Sequence, residues 1–89
     1  MQMSLQFPNA SRVYDSVRCC VTFWGHDSTF EIAFHVDEDV LRRFNPHEGR
    51  DEAASLRAFD VNRRQIERAA SGVYARRHKS SHRLSTADF

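Results

Sequence analysis

The strongest alternation of apolar and polar positions lies in residues 17–36. Residues 17–24 are mostly β-branched, aromatic or thiol-bearing, with Cys19, Val21 and Phe23 on one face and Cys20, Thr22 and Trp24 on the other. Gly25-His26-Asp27-Ser28 reads as a turn, after which Phe30, Ile32, Phe34 and Val36 alternate with Glu31, Ala33 and His35. Two alternating runs about a short glycine-bearing turn predict an antiparallel hairpin. The apolar set of its second strand marks the buried face, and Glu31 and His35 mark a wetter one. Leu5-Gln6-Phe7 also alternates and predicts a short edge strand, ended by the turn-rich Pro8-Asn9-Ala10-Ser11.

The period then changes. Asp37 is placed to cap a helix, and Asp37-Glu38-Asp39 puts three acids where the macrodipole favours them. Val40, Leu41 and Phe44 fall at helical spacing, predicting about two turns before Asn45-Pro46 stops them. A second helical stretch begins at Gly49-Arg50-Asp51-Glu52 and runs to about Arg77, some 40 Å at about 1.5 Å per residue. That is long for a domain of this size, so fraying or a kink is expected near Ser71-Gly72. On a wheel, Leu56, Phe59, Ile66, Ala70, Val73 and Tyr74 cover one arc, while Arg57, Arg64 and Arg68 cluster opposite. Asp60 to Arg64 and Arg63 to Glu67 are spaced for i,i+4 pairs. Residues 82–85 predict a closing strand with Leu84 inward. The expected order is β-β-β-α-α-β: an α+β fold with an antiparallel sheet packed by one short and one long helix.

Composition narrows the function more than the fold. The chain has 89 residues, enough for a single α+β domain over residues 1–89 with a thin core that self-association would supplement. It carries 13 basic and 12 acidic side chains, a net charge of +1, and Lys79 is the one lysine among the bases. That near-neutral total averages two unlike halves: residues 1–49 sum to −3 and residues 50–89 to +4. The basic half points to Arg57, Arg64, Arg68, Arg76 and Arg77 as candidate nucleic-acid-binding residues, with Arg63, Lys79 and Arg83 alongside. The competing reading is a solvated helix face laced with ion pairs, or one meeting the acidic half of a second copy. The helix pair around residues 45–50 fits a helix-turn-helix poorly, because its second helix is too long and a hairpin precedes it.

Catalytic and metal signals are weak. His78 and His82 stand four apart, a ligand spacing, but Lys79-Ser80-Ser81 between them reads as a helix end, which leaves both as exposed tail histidines. His35 shares a strand face with Glu31 and is weighed as a general base against an ordinary surface pair. His26-Asp27 is read as turn chemistry. Cys20 lies on the same face as Arg18, and an arginine lowers a thiol pKa, so Cys20 is the candidate reactive thiol. Adjacent Cys19 and Cys20 make a poor disulfide, and free thiols fit a reducing cytoplasm. No phosphate-cradling glycine motif or G-x-S-x-G occurs, so no enzyme, cofactor, metal or small-molecule substrate is expected. Residues 1–11 lack a charged and apolar leader pattern, and no run of eighteen apolar residues occurs, so neither a signal peptide nor a membrane span is expected.

Several segments together carry a resemblance. Leu5-Gln6-Phe7-Pro8, Val21-Thr22-Phe23-Trp24-Gly25 and Phe30-Glu31-Ile32 are among them. Leu41, Asp51-Glu52-Ala53, Phe59-Asp60, Leu84 and Asp88-Phe89 complete the pattern. The chain resembles the small bacterial proteins grouped as domain-of-unknown-function family 1488. The resemblance implies one α+β domain in a bacterial cytosol and defines no catalytic residues. Some relatives bear the description transcriptional regulator, which implies a regulatory role. The leading expectation is a non-enzymatic accessory or protein-interaction module that self-associates. The alternative is a nucleic-acid-binding or transcription-regulatory protein using the arginine face.

Overall fold

The computed structural model describes residues 5–47 and 49–89; the first four residues, part of the stretch read for a leader, lie outside it. The predicted hairpin is the centre of the sheet. β3 (Cys20–Asp27) pairs antiparallel with β4 (Phe30–Asp37) from Cys20↔Asp37 to Asp27↔Phe30. Two short strands, β1 (Leu5–Gln6) and β2 (Arg12–Asp15), both pair with β3, lying end to end along its free edge. Pro8, which has no N–H to donate, sits where that edge is interrupted. β2 escapes the sequence reading because only Val13 and Tyr14 within it are apolar.

The hairpin begins and turns later than its pattern predicts. The Asp15 carboxylate accepts from the backbone N–H of Val17 and of Arg18, each at 3.0 Å, and fixes a turn over residues 16–19. Cys19 is in that turn at φ 53°, so it leaves the strand face shared by Val21 and Phe23. Gly25-His26-Asp27 continues the strand, and the reversal is confined to Ser28-Thr29. Gly25 is required for packing: a Cβ there would meet Leu5 Cδ1 at 2.9 Å and Phe7 Cε1 at 3.0 Å. Phe30, at the mouth of the hairpin, is 69% exposed, while Ile32, Phe34 and Val36 are buried as expected.

After the hairpin come α1 (Glu38–Phe44), α2 (Glu52–Val61) and α3 (Arg63–Arg76). Asp37 precedes α1 without capping it through its side chain, which instead faces Arg83. Asp51 does cap α2, accepting from Ala54 N at 2.8 Å. The single long helix of the sequence reading is broken at Asn62, not near Ser71-Gly72, which is helical. The Asn62 amide donates to the Ala58 carbonyl at 2.8 Å and to Asn45 Oδ1 at 3.3 Å. An asparagine side chain that competes for the i−4 carbonyl ends a helical turn, whereas an exposed glycine merely weakens one.

β5 (Ser81–Leu84) closes the sheet beside β4, with a terminal 3-10 turn after it. This pair is parallel, Val36 opposite Leu84, because the three helices carry the chain back across the sheet. The fold is α+β as expected, with one parallel pair in an otherwise antiparallel sheet. The core lies between the sheet's inner face and the helices: Val21, Phe23, Phe34 and Leu84 meet Phe59, Ile66 and Ala70. Ring centroids of Phe23 stand 5.4 Å from Phe34 and 5.1 Å from Phe59, contacts worth about 0.5–1.5 kcal/mol each beyond burial. No helix among the described residues is long and apolar enough to cross a membrane.

Candidate nucleic-acid interface

α3 is anchored through its inner side, which determines what its outer side presents. Ile66 and Ala70 are buried in the core. Near the end of the helix the Tyr74 hydroxyl donates to Asp27 Oδ2 at 2.5 Å, and that bond, with burial, raises the phenol pKa. His78 stacks on the Tyr74 ring at 4.8 Å and His82 meets it edge-on at 6.1 Å. His82 also stacks on Phe34 at 5.5 Å and donates to the Lys79 carbonyl at 3.1 Å. His82 is therefore a buried core residue, contrary to the expectation of an exposed tail. Among the described residues no group of three His, Cys, Asp or Glu is placed to hold a metal.

With that side fixed, two groups of cations stand out; Arg42 and Arg43 of α1 and Arg50 before α2 belong to neither and also have no acidic partner among the described residues. Arg12 grips Asp60 with two bonds of 2.9 and 2.8 Å. Arg63 pairs with Glu67 at 2.8 Å, lies over the Phe59 ring at 5.1 Å, and donates to the carbonyls of Asn9 and Ala10. Arg18 approaches Asp15, and Arg83 pairs with Asp37 off hydrogen-bond geometry while donating to the Arg18 carbonyl. These four brace the fold. Arg64, Arg68, Arg76, Arg77 and Lys79 are exposed and have no acidic partner among the described residues. Asp60, spaced for Arg64, is taken by Arg12. Arg57 sits exposed on α2, engaged within the chain, and the break at Asn62 removes it from the common wheel.

The second group is arranged along one helix and around its end. Arg64 and Arg68 line a shallow cavity of about 300 Å³ with Asn62 and Gln65. Twelve residues further, about 18 Å along the axis at about 1.5 Å per residue, Arg76 and Arg77 line a deeper cavity of about 400 Å³. Its other wall is Lys79, Ser81, His82 and Arg83. Cations at a helix C-terminus are favoured by the exposed carbonyl ends. Between Arg68 and Arg76 the outer side carries Ser71, Gly72 and Ala75, small residues over which a ligand backbone can approach. The arginines are legible in the sequence but the cavity is not; its one signal there is the run Arg76-Arg77-His78-Lys79 leading into Ser80-Ser81.

The remaining candidates lie on the sheet's outer face. Cys20 is fully buried; burial pushes its thiol pKa up, outweighing the Thr22 hydrogen bond and Arg83. Arg18, invoked to activate it, is in the exposed turn. His35 does not pair with Glu31, which lies 3.8 Å from His26. Its Nδ1 is 2.8 Å from Thr22 Oγ1 and its Nε2 is 3.3 Å from Ser81 Oγ. Burial, then Arg18 and Arg83, hold its imidazole below the ordinary value.

Comparison with known proteins addresses the fold and the family. The model for "Protein of unknown function (DUF1488)" matches residues 5–84. A crystal structure of a protein of unknown function from the same family, from Shewanella loihica PV-4, superposes with a TM-score of 0.83 at 16% identity, covering 94% of each chain. At that identity the likeness speaks for the fold. No curated protein matches the chain. Matched over most of its length, the chain belongs to the family of proteins of unknown function DUF1488.

Proposed function

We propose that this protein binds nucleic acid through the outer side of α3, with Arg64, Arg68, Arg76 and Arg77 contacting phosphates and Lys79 extending the track. One observation carries the reading: these cations are gathered along a single helix and around its end, where none has an acidic partner among the described residues, while Arg12, Arg18, Arg63 and Arg83 are each paired. An arginine face that served only solubility has no need to keep its acids elsewhere. Arginine's planar fork suits phosphate, and about 18 Å of helix spans the axial rise of about five base steps of a duplex, at about 3.4 Å of helix axis per phosphate of each strand. Binding of this kind is backbone-directed and regulatory in use, with no chemistry performed on the nucleic acid. The test is fluorescence anisotropy with a short DNA duplex at ~50 mM salt. Saturable binding that weakens on replacing Arg64 and Arg68 by glutamine supports the reading, and no binding overturns it.

Self-association is the second reading, favoured by the outer face of the sheet. Among the described residues the helices pack on the opposite face of the sheet; on this one Val13 is 54% exposed and Trp24 is half-buried beside it. Pairing two such faces would bury both residues and leave α3 outward, compatible with the first reading. Sedimentation at ~100 µM measures it, and a strict monomer overturns it.

A further inference from the structure

Building on that reading of the basic face, we propose that the cavity between the end of α3 and β5 binds a phosphate monoester, the dianion carried by a nucleic-acid strand terminus or by a free mononucleotide. A volume of about 400 Å³ lies in the range of small-ligand sites. It holds a phosphate together with the sugar attached to it. Arg76, Arg77 and Lys79 line it without an acidic partner among the described residues; Arg83, also on its wall, is already paired with Asp37. Like charges gathered about one opening repel, and a doubly charged ligand relieves several of these repulsions at once, where a singly charged phosphodiester relieves fewer. Asp88, the one carboxylate among the described lining residues, accepts from Ser85 N at 2.8 Å through Oδ2 and closes the cap of the terminal turn; its single charge is outnumbered by the three unpaired cations.

Ser81 adds a neutral donor at the same cavity. Its hydroxyl is the end of a chain of three side chains, Thr22, His35 and Ser81, crossing β3, β4 and β5. With the proton on His35 Nε2, that N–H donates to Ser81 Oγ, the Thr22 O–H donates to Nδ1, and the Ser81 O–H turns to a phosphate oxygen. At its inner end the Thr22 hydroxyl also meets the buried Cys20 thiol at 3.9 Å.

Calorimetric titration with 5′-AMP and with adenosine tests the proposal. AMP is expected to bind and adenosine not. Glutamine at both Arg76 and Arg77 weakens AMP by about tenfold or more, the scale of lost charge-assisted contacts. Glutamine at both Arg64 and Arg68 leaves AMP binding unchanged, and Ser81→Ala weakens it by less than the Arg76/Arg77 pair. AMP binding no tighter than adenosine, or equal loss from the two arginine pairs, overturns the site. A duplex with 5′-phosphate ends is then compared with one bearing 5′-hydroxyls. Preference for the phosphorylated ends, lost without Arg76 and Arg77, assigns the site to strand termini. AMP binding without that preference assigns it to a free mononucleotide. Duplex binding without AMP binding overturns the cavity site and leaves the arginine track standing; AMP binding without duplex binding does the reverse.

Discussion

Arg12 on β2 and Asp60 at the end of α2 form a two-pronged ion pair, Nε to Oδ1 at 2.9 Å and Nη2 to Oδ2 at 2.8 Å. The pair ties the sheet edge to the helical layer across 48 residues of chain. It also removes from Arg64 the acid that helical spacing provides for it. One contact thus braces the fold and leaves the outer side of α3 positively charged.

The pair makes Asp60→Asn informative. The Arg12 hydrogen bond holds the Asp60 carboxyl below its ordinary value. A depressed folded pKa gives stability that is present above the unfolded value of about 3.9 and is lost as pH falls through the folded one. Both side chains are partly exposed, so the contribution is about 0.5–1 kcal/mol. Urea denaturation is expected to show Asp60→Asn destabilised by that amount at pH 7 and matching the parent at pH 2. Equal stability at both pH values would contradict it.

His35 and His82 predict a second loss of stability on acidification, in a higher pH window. Burial is the first cause holding each below the ordinary imidazole value. The unfolded chain takes up these protons near pH 6.5 and the folded protein only at lower pH. Stability therefore falls as pH drops below about 6.5, by at most about 1.4 kcal/mol per pH unit for each histidine, and the fall ends below the folded values. Denaturation midpoints at pH 7.5, 6.5 and 5.5 measure this, and His82→Phe should flatten the curve. An unchanged slope would show that His82 is not held neutral by its burial.

Thiol labelling separates the two adjacent cysteines. Cys19 is exposed in its positive-φ turn and Cys20 is fully buried with its pKa pushed up. One thiol per native chain is expected to react, and Cys19→Ser should abolish that reaction. The second reacts only on unfolding. Rapid native labelling of Cys20 would contradict its placement.

Gly25→Ala tests how the edge is built. A Cβ would press on Leu5 and Phe7, so loss of about 1–3 kcal/mol is expected from overpacking. Exchange of the Gln6 amide with solvent should rise more than that of the Phe34 amide. Equal effects on both would mean that the edge and the hairpin open together.

How much of this was legible follows from what each signal depends on. Alternation in 30–36 and the 3.6-residue spacing of Phe59, Ile66, Ala70 and Tyr74 are local, and the hairpin and helices follow from them. β2 was hidden because its register comes from β3 and not from its own four residues. The break at Asn62 depends on a side chain bonding Ala58 and Asn45, and periodicity does not record such contacts. The arginine stripe was legible, but its availability was not. Spacing offered Asp60 to Arg64, and only the tertiary fold gives Asp60 to Arg12.

If the outer side of α3 is a phosphate track, the salt dependence of duplex binding reports it. Four or five phosphate contacts predict a log–log slope of Kd's reciprocal against salt of about −3.6 to −4.5. Glutamine at Arg64 and Arg68 should lower the steepness by about 0.9 per arginine, whereas Asp60→Asn should not reduce it. No duplex binding at ~50 mM salt, or a slope unchanged by the arginine replacements, would contradict the account.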